Sequence, residues 1–169
     1  APQSELTANI WVTIREKVMS APYEPAKLIT YPDTRFYHCN MKTLNLLPTV
    51  MASIAARDAG VDEAILHRDG RVTECAHSNL CIIRDDGAIQ TAPADELILP
   101  GVTRAHMIRA CAELGIRCIE EPFSLEQMMN AAEVVVVTSG MQFRPTAEID
   151  GIKVGGSLGT AICGWMLAS

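Results

Sequence analysis

Lys42 is the first residue whose surroundings suggest chemistry. It ends the run Arg35-Phe36-Tyr37-His38-Cys39-Asn40-Met41-Lys42, which reads as a β-strand, and precedes Thr43-Leu44-Asn45-Leu46-Leu47-Pro48. A lysine at such a junction is a candidate Schiff-base lysine, because burial disfavours the ammonium and makes the amine nucleophilic. By itself it proves nothing. Glu74 ends a second strand-like run, Val72-Thr73-Glu74, and is followed by Cys75-Ala76-His77-Ser78-Asn79. A carboxylate held there can pair with a protonated pyridine nitrogen and keep it cationic, which strengthens an electron sink. The plainer alternative is an exposed carboxylate at a strand end.

Two segments offer anion binding. In Leu99-Pro100-Gly101-Val102-Thr103-Arg104 a Pro-Gly step leads into a helix start. Free backbone N–H groups and the Thr103 hydroxyl then converge on one spot, aided by the helix dipole. An ordinary helix cap would look the same. Val137-Thr138-Ser139-Gly140 follows an apolar run and presents hydroxyls and a glycine at a strand end, where ligands gather in α/β structures. A simple strand-to-loop turn is the alternative. Arg35 precedes Lys42 by seven residues, so on a regular strand the two lie on opposite faces. A bulge or bend would be needed for both to meet one ligand.

The elements that must position these residues are legible from pattern. Strands are expected over 9–16, 27–31 and 35–42. The 35–42 strand would put Arg35, Tyr37, Cys39 and Met41 on one face, with Phe36, His38, Asn40 and Lys42 on the other. Pro48 opens a helix to Ala59, with Val50, Ile54, Met51 and Ala55 as its inner face and Gly60 as its stop. Glu63–His67 and Arg71–Glu74 form a hairpin about Arg68-Asp69-Gly70, and Asn79–Arg84 pairs with Ala88–Thr91 about Asp85-Asp86-Gly87. A helix covers Thr103–Leu114 and a strand Arg117–Pro122. Ser124 and Gln127 make a capping box for the next helix. Glu133–Thr138 is a strand buried on both faces, Glu148–Lys153 a hairpin edge about Asp150-Gly151, and Thr160–Leu167 a closing helix. The fold class is mixed α/β, with hairpins and helices interleaved rather than in strict βαβ alternation.

The 169 residues are 49% hydrophobic and 20% charged, with a net charge of −6, as expected of a globular domain with a sizeable core. No Lys/Arg run marks a nucleic-acid partner, and no apolar stretch is long enough to span a membrane as a helix. Six cysteines without a C-x-x-C pair read as reduced, buried thiols of a cytoplasmic protein rather than as disulfides or a zinc site. The polar N-terminus, Ala1-Pro2-Gln3-Ser4-Glu5, lacks the hydrophobic core of a signal peptide.

Taken together, the order and spacing of Arg35…Lys42-Thr43-Leu44-Asn45-Leu46-Leu47-Pro48, Glu63-Ala64-Ile65-Leu66-His67-Arg68-Asp69-Gly70, Val72-Thr73-Glu74, Ser78-Asn79 and Ile98-Leu99-Pro100-Gly101-Val102-Thr103-Arg104 are specific. The chain resembles the carboxy-terminal domain of the class-IV, fold-type IV pyridoxal-phosphate-dependent aminotransferases. Its motifs lean towards D-amino-acid aminotransferases. The resemblance implies a mixed sheet or pseudo-barrel with flanking helices, pyridoxal 5'-phosphate as cofactor, an amino acid and a 2-oxo acid as substrates, and a homodimer. Lys42 is then the Schiff-base lysine and proton shuttle, Glu74 the partner of the pyridine nitrogen, and Arg35 a contact of the ring's phenolic oxygen. Leu99 would pack on the ring, while Val102 (through its N–H) and Thr103 hold the phosphate. Ser139 and Gly140 fall at a second phosphate loop, and Ser78, Asn79 and Gly101 complete the implied cofactor-binding set. Within the family, branched-chain aminotransferase and aminodeoxychorismate lyase are the alternatives; outside the enzymes, a catalytically dead cofactor-binding or dimerisation fragment is.

The sequence departs from the family in three ways. Cys75-Ala76-His77 stands where relatives carry Gly and Ser, which brings a titratable His77 near the implied cofactor. The segment from Thr138 to Pro145 is short and lacks the usual paired threonines. Residues 1–26 read as the last strand of an amino-terminal domain plus a linker, and 27–169 as the cofactor domain, so most of that amino-terminal domain is expected to lie outside this chain.

Overall fold

The structure is a computed structural model that describes residues 10–14, 16, 24–139 and 142–156. The expected closing helix at 160–167 and Gly140 lie outside them. Three features of the sequence organise the rest. The hairpin of β2 (Glu63–Arg68) and β3 (Arg71–Cys75) turns at Asp69 and Gly70, both with left-handed φ of 48° and 81°. Two such central residues give a turn that follows the natural twist of the strands. The valine run Val134–Val137 forms β7 (Glu133–Thr138) at the middle of the sheet, buried along both faces. The Ser124 capping box is present: its hydroxyl accepts from the Gln127 N–H at 3.1 Å and its N–H donates to Gln127 Oε1 at 2.8 Å, opening α3 (Leu125–Met129).

The remaining elements are β1 (Ala26–Pro32), α1 (Leu47–Asp58), β4 (Asn79–Ile83), β5 (Ile89–Thr91), α2 (Val102–Glu113), β6 (Cys118–Glu120), β8 (Gln142–Ile149) and β9 (Ile152–Lys153). Strand order is β3-β2-β1-β8-β7-β4-β5-β6, with β9 paired to β8. Parallel pairs (β1 with β2 and β8, β5 with β6) are mixed with antiparallel ones. The two ends of this order meet. Val72 N–H donates to the Phe123 carbonyl at 3.0 Å, Leu125 N–H to the Gly70 carbonyl at 2.9 Å, and Arg71 bridges Ser124. Those bonds curl the sheet towards a barrel and tie β3 to the segment that follows β6.

Alternation along the strands then sorts the core. Leu80, Ile82, Val134 and Val136 point inwards with Leu28, Ile65, Phe123 and Met128. Cys81, Ile83, Val135 and Val137 point outwards against Met107 and Cys111 of α2. Ala64 and Leu66 face Ala52 and Ala56 of α1.

Four expectations are corrected. No strand forms over 35–42: the chain turns at His38, whose φ is 77°, and Met41 N–H donates to the His38 carbonyl. The inner face of α1 is Thr49, Ala52 and Ala56, whereas Val50, Met51 and Ile54 are exposed. Small residues let the helix lie close on β2, and periodicity cannot show which of two apolar stripes will be covered. Residues 10–14 join no strand, and Ile10, Trp11, Val12 and Ile14 are exposed. A β-like composition needs a partner edge before it becomes a strand. The expected hairpin about Asp150-Gly151 is present, with Glu148 paired to Lys153 and Ile149 to Ile152, but its first strand starts earlier, because β8 begins at Gln142 and pairs with β7. Cys39, Cys75, Cys81, Cys111 and Cys118 form no disulfide among the described residues, and Cys163 lies outside them.

Candidate functional site

Glu74 reaches its position through an irregularity in the hairpin. Ile65 pairs with Cys75 and His67 with Val72, so β3 spends three steps where β2 spends two. The extra residue breaks the alternation, as a β-bulge does, and re-aims the side chains between Val72 and Cys75. Glu74 is buried, at 6% exposure. Its Oε2 accepts from Asn79 Nδ2 and from the Leu99 N–H, each at 3.0 Å, and its Oε1 pairs with Arg35 Nη1. Burial pushes its carboxyl up to about 7, against the Arg35 charge and hydrogen bonds that pull it down.

Arg35 leaves β1 through Pro32-Asp33 and folds back into the sheet. Nε and Nη2 grip Asp33 at 2.9 and 2.8 Å, and Nη2 also donates to the Leu97 carbonyl at 2.9 Å. Without a strand over 35–42, the opposite-face problem disappears. Arg35 and Lys42 line the same cavity, of about 610 Å³. Lys42 lies in the loop before α1 and is exposed, so it does not have the burial that first marked it as a nucleophile.

The floor is made by the ends of β4 and β7. Asn79 pairs with Val137 across the ladder, which sets Ser78 and Asn79 beside Thr138 and Ser139. The start of α2 closes one side. Gly101 is its N-cap and no side chain caps it, so the first N–H groups, including that of Val102 (81% exposed), are free of side-chain capping. A Cβ at Gly101 would lie 2.2 Å from Asn79 Oδ1, so only glycine lets the helix start this close to β4. Asn79 Nδ2 donates to the Leu99 carbonyl at 2.9 Å, and buried Arg104 ties the first turn of α2 to Ala92 and Glu120.

Arg35, Lys42, Glu74, Ser78, Asn79, Leu99, Gly101, Val102, Thr103 and Ser139 therefore surround one cavity. His77 lines it as well; its Nε2 is 2.8 Å from Ser53 Oγ on α1. Its loop is held from behind by Glu63, which accepts from the His77 N–H and, at 2.9 Å, from the Ser78 hydroxyl. Burial pushes the Glu63 carboxyl up against those bonds. Sequence reading missed Asp33, Glu63 and Arg68. Asp33 sits two residues before Arg35, a spacing legible only as the end of a strand. Arg68 is an ordinary turn residue until its ion pair with Asp33, at 3.2 Å, is seen.

A model of the amino-transferase class IV family matches residues 3–149, and the chain belongs to that family. It is 40% identical over 131 residues to a D-alanine aminotransferase of Listeria innocua serovar 6a, covering 78% of this chain and 45% of the relative. The chain thus spans less than half the length of that curated relative. Among solved structures, a T.th. branched-chain amino acid aminotransferase complexed with N-(5'-phosphopyridoxyl)-L-glutamate matches with a TM-score of 0.73 and 26% identity, over 84% of this chain and 48% of that one. A putative 4-amino-4-deoxychorismate lyase of Legionella pneumophila shares the fold, with a TM-score of 0.77 at 23% identity over 89% and 56% of the two chains. The curled mixed sheet with few helices is thus the fold-type IV architecture.

Proposed function

We propose that this chain carries the cofactor half of a pyridoxal-phosphate-dependent transamination site, acting on a D-amino acid and a 2-oxo acid, with residues 27–169 as its domain. The observation that supports this best is the convergence of Lys42, Glu74 and the uncapped start of α2 on one cavity. The donor set suits the group: a buried carboxylate for a ring nitrogen, free N–H groups for a phosphate, and an accessible amine for a carbonyl carbon. The D-alanine aminotransferases among its relatives support the substrate class, and the phosphopyridoxyl ligand of the T.th. enzyme supports the cofactor.

When bound, pyridoxal phosphate supplies an electron sink for the carbanion left by loss of the α-proton. Lys42 would hold the cofactor covalently and, once freed, carry that proton on Nζ. Glu74, as a carboxylate, would hold a proton on the ring nitrogen. Arg35 engages Nε, one Nη1 hydrogen and both Nη2 hydrogens among the described residues, which leaves the second Nη1–H for the phenolic oxygen. Leu99 would pack on the ring. The Val102 N–H and the Thr103 hydroxyl would take the phosphate, with Ser78, Asn79, Gly101, Ser139 and Gly140 around them.

Absorption spectroscopy with borohydride reduction tests this. Cofactor should give a visible band, and borohydride should fix one cofactor mass on the peptide containing Lys42. A colourless, unlabelled protein at saturating cofactor would sink the reading and leave a fragment without cofactor chemistry. With labelled protein, keto-acid formation from D-alanine and 2-oxoglutarate supports transamination, whereas pyruvate release from aminodeoxychorismate would assign the lyase instead.

A further inference from the structure

Asp33 has no role in the reaction set out above, yet it is the most enclosed charge of the site, with its side chain fully buried. Its N–H donates to the His67 carbonyl at 2.8 Å, so its backbone is tied to β2. Its carboxylate meets three residues, and besides the side chains the Arg35 main-chain N–H donates to Oδ1 at 3.1 Å. Arg35 binds side-on, through Nε to Oδ1 and Nη2 to Oδ2. The Thr73 hydroxyl lies 3.0 Å from Oδ2, and Arg68 Nε lies 3.2 Å from it. Arg68 in turn donates to the Arg35 carbonyl and stacks on Tyr37, 5.0 Å from the ring centroid. The loop that carries Arg35 is therefore clipped at both its side chain and its main chain.

The consequence falls on Glu74. A side-on pair occupies one edge of the planar guanidinium and fixes its plane, so the free edge points in one direction only. Here that edge is Nη1, and it ends on Glu74 Oε1. We propose that Asp33 is the positioning residue of this site, holding Arg35 so that its Nη1 stays on the Glu74 carboxylate and keeps that carboxylate ionised inside the cavity wall. The proposal rests on the reading of Glu74 as the partner of a cationic ring. The four charges of this cluster (Asp33 and Glu74, both buried, with Arg35 and Arg68, both partly buried) sum to zero only when Glu74 is ionised, which fits the assignment.

The sign of one measurement decides it. Arg35 and Asp33 are the charged groups that act on Glu74, along with the Leu99 N–H, and they act in opposite directions. Loss of a neighbouring negative charge alone would lower the Glu74 titration midpoint; loss of Arg35 from its carboxylate would raise it. The experiment follows the Glu74 carboxyl carbon by 13C NMR in cofactor-free protein labelled with [δ-13C]glutamate, the signal being assigned with Glu74→Gln. Asp33→Asn should raise the midpoint by about one unit or more. A lowered or unchanged midpoint in a folded variant would overturn the proposal. Should Asp33→Asn not fold, Asp33→Glu keeps the charge and displaces the clamp by one methylene. An upward shift there supports the clamp, and an unchanged midpoint overturns it. Because the titration is made without cofactor, its outcome is independent of the borohydride result: a shift in a protein that never takes up cofactor would sink the transaminase reading and leave the Asp33 assignment standing.

Discussion

On one side of the cavity Asp33, Arg35 and Glu74 are enclosed, and their polar atoms are engaged by one another, by Asn79 and by the main chain at Leu97 and Leu99. On the other side Lys42 and Val102 face solvent. The enclosed side resembles a preorganised electrostatic wall, whose dipoles and charges are oriented before any ligand arrives. The open side holds the groups that must move or be approached: an amine that would bond and release, and N–H groups that an anion would meet. A lysine held as rigidly as Arg35 could not shuttle a proton, and a carboxylate as exposed as Lys42 would lose its hold on a ring nitrogen to water.

Breaking the enclosed side should have the largest effect. Arg35→Ala leaves Asp33 and Glu74 buried without their shared cation, and the protein should lose about 3–5 kcal/mol in denaturant unfolding at neutral pH. The pH dependence of Glu74 comes next. Its folded value of about 7 lies above the ordinary 4.5, so the folded state binds more protons than the unfolded one between those values. Its contribution to stability is present below about pH 4.5 and is lost as pH rises through about 7. Relative to Glu74→Gln, the protein should therefore lose stability across that window, by about 3 kcal/mol. A flat difference curve would mean that Arg35 fully offsets burial. Gly101→Ala probes the seam between the two sides. Its new Cβ would push Asn79 off Glu74 and Leu99, with a loss of about 1–3 kcal/mol in thermal or denaturant unfolding and weaker anion binding at the start of α2. Lys42→Ala should change stability by less than about 0.5 kcal/mol, because the side chain is exposed, while removing borohydride labelling altogether. A large destabilisation by Lys42→Ala would place it on the enclosed side and end the comparison.

Much of the fold was legible because its signals are local. Asp69-Gly70 demanded a tight hairpin, Ser124 and Gln127 a helix start, and Val134–Val137 a strand covered on both faces. The failures share one cause. Arg35–Lys42 alternates like a strand, but no sheet edge accepts it, and His38 takes a left-handed turn instead. α1 carries two stripes, Val50/Met51/Ile54 and Thr49/Ala52/Ala56, and the less apolar one is buried. Pairing and covering depend on what lies across space, which no window of residues contains.

The sequence by itself determined which residues are available for chemistry. Lys42, Glu74, Thr103 and Ser139 stood out as candidates by type, order and spacing, since turn glycines and strand ends mark where a chain exposes functional groups. Only the tertiary structure decided what each one meets. The bulge in β3 turns Glu74 inwards, the loop after β1 carries Arg35 back over 39 residues of sequence to reach it, and Asp33 fixes the angle of that contact. Charge pairing acts through a few ångströms of space, so residues distant in the chain became one ionic cluster only when the sheet curled and brought them together.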